Sequence, residues 1–226
     1  MTPTSSRSST RSVRDAQSSS GSSGSDGPDL RSGAESLTGE GPASAARVEQ
    51  LSTRIAYETP WIRVREDEVL WPGGSTGVYS VVERDDYALV LPREGEGFWL
   101  VEQFRYPIGR RAWEFPAGGW PHGSPGGDPL ALAAAELREE TGLRAGRLRH
   151  LGRLSEAYGF VSQAVDVFLA EQLEHGEHAR EATESDMEQR WFSDHEVAEL
   201  VRSGGIIETA AVAALGLFWM DRGLVP

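Results

Sequence analysis

Glu136-Leu137-Arg138-Glu139-Glu140-Thr141-Gly142-Leu143 is the stretch on which the fold turns. Just upstream, Asp128 suits an N-cap and Pro129 the first helical position, and Gly142 suits a C-terminal stop, so this region predicts one short helix. Leu130, Ala133, Ala134 and Leu137 recur at helical spacing, a face expected to pack on a sheet. Beside that stripe, Glu136, Glu139 and Glu140 fan over about 100°. Three carboxylates at i, i+3 and i+4 repel one another and call for compensation. Hard oxygen ligands suit Mg²⁺ or Mn²⁺, cations that in turn neutralise phosphate oxygens. A bare E-x-x-E-E also describes a solvated acidic face, so the surroundings must decide between the two.

Upstream the pattern is that of strands. Ser52–Glu58, Trp61–Val69, Gly77–Glu83 and Tyr87–Leu91 are short, β-branched and aromatic, and Pro, Gly or Asp punctuate them. Pro72-Gly73-Gly74 reads as a hairpin turn. Phe98–Phe104 and Arg111–Phe115 continue the run to Pro116. Downstream, strands are expected near Leu148–Leu154, Ala164–Ala170 and Gln189–Phe192. Ser193 with Glu196 forms a capping-box pattern opening a helix to about Arg202, and Ile207–Met220 reads as a buried terminal helix, apolar nearly all round. Mixed strands with helices on both sides predict an α/β (α+β) sandwich.

Residues 1–45 differ in kind. Eleven of the first thirty residues are serine, too polar a stretch to offset the entropy of ordering, so a disordered Ser/Gly-rich tail is expected before a domain at 46–226. Arg7, Arg11 and Arg14 precede the first acid, but neither an amphipathic face nor a signal-peptide core accompanies them, and a cytoplasmic location is expected. The net charge of -13 argues against a nucleic-acid surface. With no cysteine, disulfides, thiolate catalysis and Cys-type zinc sites are excluded. No apolar run is long enough to predict a membrane span.

The acidic helix in this setting resembles the Nudix box, G-x5-E-x7-R-E-U-x-E-E-x-G-U with U aliphatic. Gly118 looks like the leading glycine, and Glu136 to Leu143 match the second half. The segment between Gly118 and Glu136 is three residues longer than the pattern, Gly127 stands in place of the first glutamate, and Ala135 in place of the arginine. The likeness extends from about Leu51, with strands over about 51–84 preceding the box domain, to the C-terminus. Val101-Glu102-Gln103-Phe104-Arg105-Tyr106-Pro107 and Trp113-Glu114-Phe115-Pro116-Ala117-Gly118 look like the segments before the box in ADP-ribose pyrophosphatases and related nucleoside-diphosphate-sugar hydrolases. Glu184-Ser185-Asp186-Met187 is similar to the acidic loop that supplies a catalytic glutamate there.

The resemblance implies a Nudix-type α/β/α sandwich with a mixed sheet, preceded by a small N-terminal strand segment. It assigns Glu136 and Glu140 as main metal ligands and Glu139 to a further metal or to orienting water, with the Ala117 carbonyl completing the site. Arg105 would contact substrate phosphate, with Gln103 and Glu114 nearby, and Glu184 would act as general base. The implied reaction is Mg²⁺-dependent (or Mn²⁺-dependent) hydrolysis of ADP-ribose to AMP and ribose 5-phosphate. Two alternatives stay open: a dinucleoside polyphosphate or another nucleoside-diphosphate sugar as substrate, and a Nudix-fold sensor that binds nucleotide without cutting it. Tyr158 and Gln163 stand where ADP-ribose pyrophosphatases often have proline and an acid. Tyr158 is expected to pack over the core as a loop aromatic. Partners implied are a small nucleotide and, from relatives, a second copy in a homodimer, with no nucleic acid and no membrane.

Overall fold

In the computed structural model the described residues are 47–120, 126–180 and 184–224, so the expected tail at 1–45 lies outside them. Three antiparallel strands come first: β1 (Glu49–Glu58), β2 (Arg63–Leu70) and β3 (Thr76–Glu83), in the order β1-β2-β3. The Pro72–Gly74 turn joins the last two, closed by the Trp71 and Gly74 amides. This sheet is thinly covered, and β1 is exposed along its whole length.

The main sheet has seven strands. β4 (Tyr87–Glu94) and β5 (Gly97–Arg105) form a hairpin that pairs only at its closed end, Arg93 with Phe98 and Glu94 with Gly97. Beyond that the two strands part. Into the gap run β6 (Arg110–Glu114), paired with β5, and β7 (Ala117–Gly119), paired with β4. β7 lies beyond the expected strands, because Ala-Gly-Gly carries no strand propensity and is held by its partner alone. β8 (Arg144–Ser155), β9 (Ala164–Glu174) and β10 (Glu188–Ser193) complete the path β10-β5-β4-β9-β8, with β4 and β9 parallel.

Helices cover both faces. α1 (Pro129–Thr141) packs on Ala88, Val90, Phe168 and Ala170, whereas α2 (Asp194–Ser203) and α3 (Thr209–Asp221) cover Leu89, Leu91, Val165, Val167 and Leu169. Alternate residues of β4 and β9 thus feed two cores, which explains why both strands are apolar throughout. The α1 caps are those read from sequence: Asp128 accepts from the Leu130 amide at 3.0 Å, and Gly142 is left-handed at φ 73°. The Ser193–Glu196 capping box is formed as well.

Two expectations about helix faces need correction. The sheet-facing stripe of α1 is Leu132, Ala133, Leu137 and Glu140; Leu130 and Ala134 are exposed. The helix is rotated so that part of its acidic edge lies inward, a cost that apolar periodicity does not anticipate. α3 buries Ala210, Ala211, Ala214, Leu215 and Phe218 but exposes Val212 and Met220, so it is covered on one side only.

Candidate active site

The break between β6 and β7 sets the site. Phe115 is buried in the core, which fixes the chain between Glu114 and Ala117, and the Pro116 carbonyl accepts from the Val90 amide at 2.9 Å. The Ala117 side chain packs on the α2/α3 core, while its amide donates to Glu140 Oε1 of α1 at 3.4 Å. At Gly118 a Cβ would run into the Glu136 carboxylate, so the carboxylate as placed uses the space a side chain would take. The glycine of the box thus makes room for a glutamate of the box.

Glu140 is 3% exposed, and its Oε2 has no hydrogen-bond partner. Burial pushes its pKa well above the carboxylate range, and the charges of Glu136, Glu184 and Glu114 push the same way against the weak help of the Ala117 amide. Glu136, Glu140, Glu184, Glu114 and Ala117 are therefore one electrostatic group, although the sequence separates them by up to seventy residues. Among the described residues no three acids or histidines form a ready-made metal cage. The donor set still fits a hard divalent cation: carboxylates, a buried oxygen without a partner, and a pKa raised by burial and by neighbouring carboxylates. Glu139 faces another way, 3.5 Å from Arg138 and 37% exposed, while its carbonyl accepts from the Ala179 amide.

Gln103 and Arg105 join the group through Glu114. Arg105 donates to Glu114 Oε2 from Nε at 3.0 Å and from Nη2 at 2.7 Å, and Gln103 bonds the same carboxylate. Burial raises the Glu114 pKa, the Arg105 and Gln103 bonds only partly opposing it, and its Oε1 has no partner. Register puts Glu114, opposite Val101, on the same face as Gln103 and Arg105, so the long Arg105 side chain reaches Glu114 back along β5 rather than straight across.

Two arginines that the sequence reading did not single out organise the Glu184 segment. Arg111 donates to Asp186 Oδ2 at 2.7 Å, to the Asp186 carbonyl at 2.9 Å and to Glu102 Oε2 at 2.7 Å. Arg180 donates to the Glu140 carbonyl at 2.8 Å and to the Met187 carbonyl, so it ties the end of α1 to the acidic loop. Arg180 adjoins the acidic loop in sequence, whereas nothing in the sequence around Arg111 pointed to it. Glu181, another acid of that loop, lies outside the described residues.

One departure from the box, Gly127, has a local account. A Cβ at Gly127 would stand 2.7 Å from Trp120 Cζ2, so the indole occupies the space next to the position of the missing glutamate. Ala135 has no such account. Tyr158 is 87% exposed, contrary to the expected packing over the core: its loop is held instead by backbone bonds to Val82 and by the Tyr79 hydroxyl on the Gly159 carbonyl. Gln163 is buried and donates to the Asp85 carbonyl at 2.7 Å.

The chain matches the nucleoside diphosphate sugar hydrolase N-terminal domain over residues 48–82 and the NUDIX domain over residues 83–208. It is 35% identical to an ADP-ribose pyrophosphatase of Mycobacterium tuberculosis, over 74% of this chain and 81% of that protein. An ADP-ribose pyrophosphatase of Bacillus subtilis is 31% identical, over 70% of this chain and 85% of its own length. A CMP-5'-(N-acetyl-N-hydroxy-3-aminopropyl)phosphonate hydrolase of Streptomyces rubellomurinus is 29% identical, over 73% and 80% respectively. Among solved structures, an ADP compounds hydrolase superposes with a TM-score of 0.70 at 20% identity, over 80% of this chain and 99% of that one, a likeness of fold.

Proposed function

Because this chain belongs to the NUDIX family, we propose that it is a pyrophosphohydrolase of nucleoside-diphosphate sugars, acting on ADP-ribose to give AMP and ribose 5-phosphate. The observation that carries this reading is Glu140, buried with an unpartnered oxygen among Glu136, Glu184 and Glu114. Such an arrangement is costly in the free protein and becomes favourable once a cation and a phosphate chain occupy it. The strands that precede the box match the N-terminal domain of nucleoside-diphosphate-sugar hydrolases, which favours that substrate class over a dinucleoside polyphosphate.

Nudix enzymes use a divalent cation, and Mg²⁺, replaceable by Mn²⁺, is our proposal here. Glu136 and Glu140 would hold it, with the Ala117 carbonyl, while Glu139, turned toward Arg138, would serve a further metal or orient water. When bound, it supplies charge neutralisation of the phosphate oxygens and acidifies water. Arg105, already oriented by Glu114, presents its guanidinium to the diphosphate. Glu184 takes the proton of the attacking water as the new O–P bond forms. The bridging P–O bond then breaks, and its electron pair leaves with the departing phosphate. Arg111 and Arg180 keep the Glu184 segment in place for that transfer.

A homodimer built on the first sheet belongs to the same proposal, since β1 exposes Leu51, Ile55 and Tyr57 along its length. Light scattering on the intact chain checks it: twice the chain mass is expected. A cytoplasmic location is proposed with it, where nucleotide sugars and Mg²⁺ are abundant. No helix among the described residues is long and apolar enough to cross a membrane. The functional reading is tested by incubating the protein with ADP-ribose, other nucleoside-diphosphate sugars and dinucleoside polyphosphates in Mg²⁺, with chromatography of products. AMP and ribose 5-phosphate, formed fastest from ADP-ribose and suppressed by chelation, are the expected result. Preferential cleavage of a dinucleoside polyphosphate overturns the substrate assignment.

A further inference from the structure

Glu208 lies outside every motif discussed above. It stands at the N-cap of α3 yet its side chain caps nothing, and its Oε2 is buried without a hydrogen-bond partner. The segment that delivers it is fixed. The Trp113 amide of β6 donates to the Gly205 carbonyl at 3.0 Å, and the Arg110 side chain bonds the Gly204 carbonyl. Gly205 and Ile206 both return to the Leu200 carbonyl, at 2.7 and 3.0 Å, in a turn so tight that a Cβ on Gly205 would stand 2.7 Å from Leu200 Cδ2. The linker is thereby bound to β6, which places Glu208 near the end of that strand, at Glu114.

The groups that act on Glu208 come from every element around it. They are Glu114 of β6, Arg105 of β5 and Glu156 just past β8, and Tyr87 of β4 feels its charge in turn. Arg105 is engaged by Glu114, and the Tyr87 hydroxyl donates to Glu156 at 2.7 Å. Arg105 and Tyr87 thus already have partners, while Glu114 Oε1 and one Glu208 oxygen are left over beside the arginine assigned to the diphosphate. Building on the proposed function, we infer that Glu208 is a substrate-positioning residue that hydrogen-bonds a sugar hydroxyl next to the diphosphate.

A hydroxyl is the group that suits this place. A phosphate would meet the like charges of Glu114, Glu156 and Glu208 together. Burial first, then the charge of Glu114, pushes Glu208 up to about 7, so both of its protonation states are present near neutrality. A hydroxyl can donate to the carboxylate and accept from the acid, so it satisfies either state. Nucleoside-diphosphate sugars carry such hydroxyls on both sides of the phosphates. A buried oxygen kept without a partner costs stability, and that cost is offset when the substrate supplies the missing bond.

The test compares wild type with Glu208→Leu and Glu208→Gln on ADP-ribose and on analogues each lacking one ribose hydroxyl. In wild type, one analogue should lose at least about tenfold in kcat/KM, mostly through KM, as expected where a site is built to bond a hydroxyl. In Glu208→Leu that preference should disappear, with KM for ADP-ribose raised about tenfold and kcat changed less than about threefold. Glu208→Gln, which keeps an acceptor, should restore part of the preference, a rescue that a purely structural role does not give. An active wild type together with a Glu208→Leu protein of unchanged KM and unchanged hydroxyl preference overturns the inference and leaves the functional reading standing. If the leucine variant does not fold, Glu208→Ala decides, and an unchanged KM for ADP-ribose with an unchanged hydroxyl preference overturns it. A wild type inert toward every nucleoside-diphosphate sugar overturns the functional reading and this inference together.

Discussion

The first sheet and the cleft beside α1 treat their carboxylates in opposite ways. In the sheet several acids meet a cation or donor across the strands, and Asp67, although its Oδ1 is buried without a partner, is paired with Arg65 through its other oxygen. Glu66 meets Arg54, Glu83 meets Arg65 at 2.8 Å, and hydrogen bonds from Thr53, with those from Gln50 and Arg65, hold Asp67 below its ordinary pKa. In the cleft, Glu140, Glu114 and Glu208 each keep an oxygen without a partner, and burial raises the pKa of all three. Acids of the first kind serve the fold. Those of the second kind weaken it, as expected where stability is traded for a poised site.

The sharpest way to break that contrast is Glu140→Gln. It removes a buried charge at constant size, so turnover of ADP-ribose should fall about 10³-fold or more, while Tm holds or rises. Steady-state assays paired with thermal unfolding check both at once. Glu184→Gln comes next, with kcat down about 10²-fold or more and KM nearly constant, because the lost proton transfer belongs to the transition state. Should Glu184→Gln, Glu188→Gln and wild type turn over alike, the base lies elsewhere, and Glu139 is the next acid to replace.

Arg111→Ala acts one step removed, by releasing Asp186 and with it the Glu184 segment. A drop of about tenfold in kcat is expected, smaller than the loss of the base itself. Its stability should change little, since the side chain is partly exposed.

How much of this could be read from the chain alone varies with the range of the interaction. The ends of α1 at Asp128 and Gly142, and the Ser193–Glu196 box, were legible because capping is local chemistry. The rotation of α1 was not. Glu140 occupies a sheet-facing position that a carboxylate ordinarily avoids, so a reading by hydrophobic periodicity shifted the stripe toward Leu130 and Ala134. The glutamates of the box were recognisable by motif, whereas Arg111, Arg180 and Glu208 reach the site only through strand pairing and a linker turn. No spacing along the sequence encodes those contacts.

Two smaller effects sharpen the contrast. The Glu208 carboxyl has its folded pKa raised from 4.5 to about 7, so its share of stability is intact below the unfolded value and is lost as pH rises through about 7. Glu208→Gln should therefore match wild type near pH 4.5 and exceed it above pH 8, by no more than about 3 kcal/mol. Denaturant titrations across that range check the sign. In the first sheet, Glu66→Gln loses an exposed pair with Arg54 and should cost less than about 1 kcal/mol, with kcat unchanged.

The account stands most directly on thermal unfolding of wild type and Glu140→Gln, each with and without Mg²⁺ and without nucleotide. If the buried carboxylates are held for a cation, Mg²⁺ at about a hundred times its dissociation constant should raise the wild-type Tm by roughly 5–10 °C. The same Mg²⁺ should barely move Glu140→Gln, whose Tm without metal should equal or exceed that of wild type. Equal shifts in both proteins, or none in wild type at saturating Mg²⁺ and Mn²⁺, would contradict the claim that this cleft is kept for a metal.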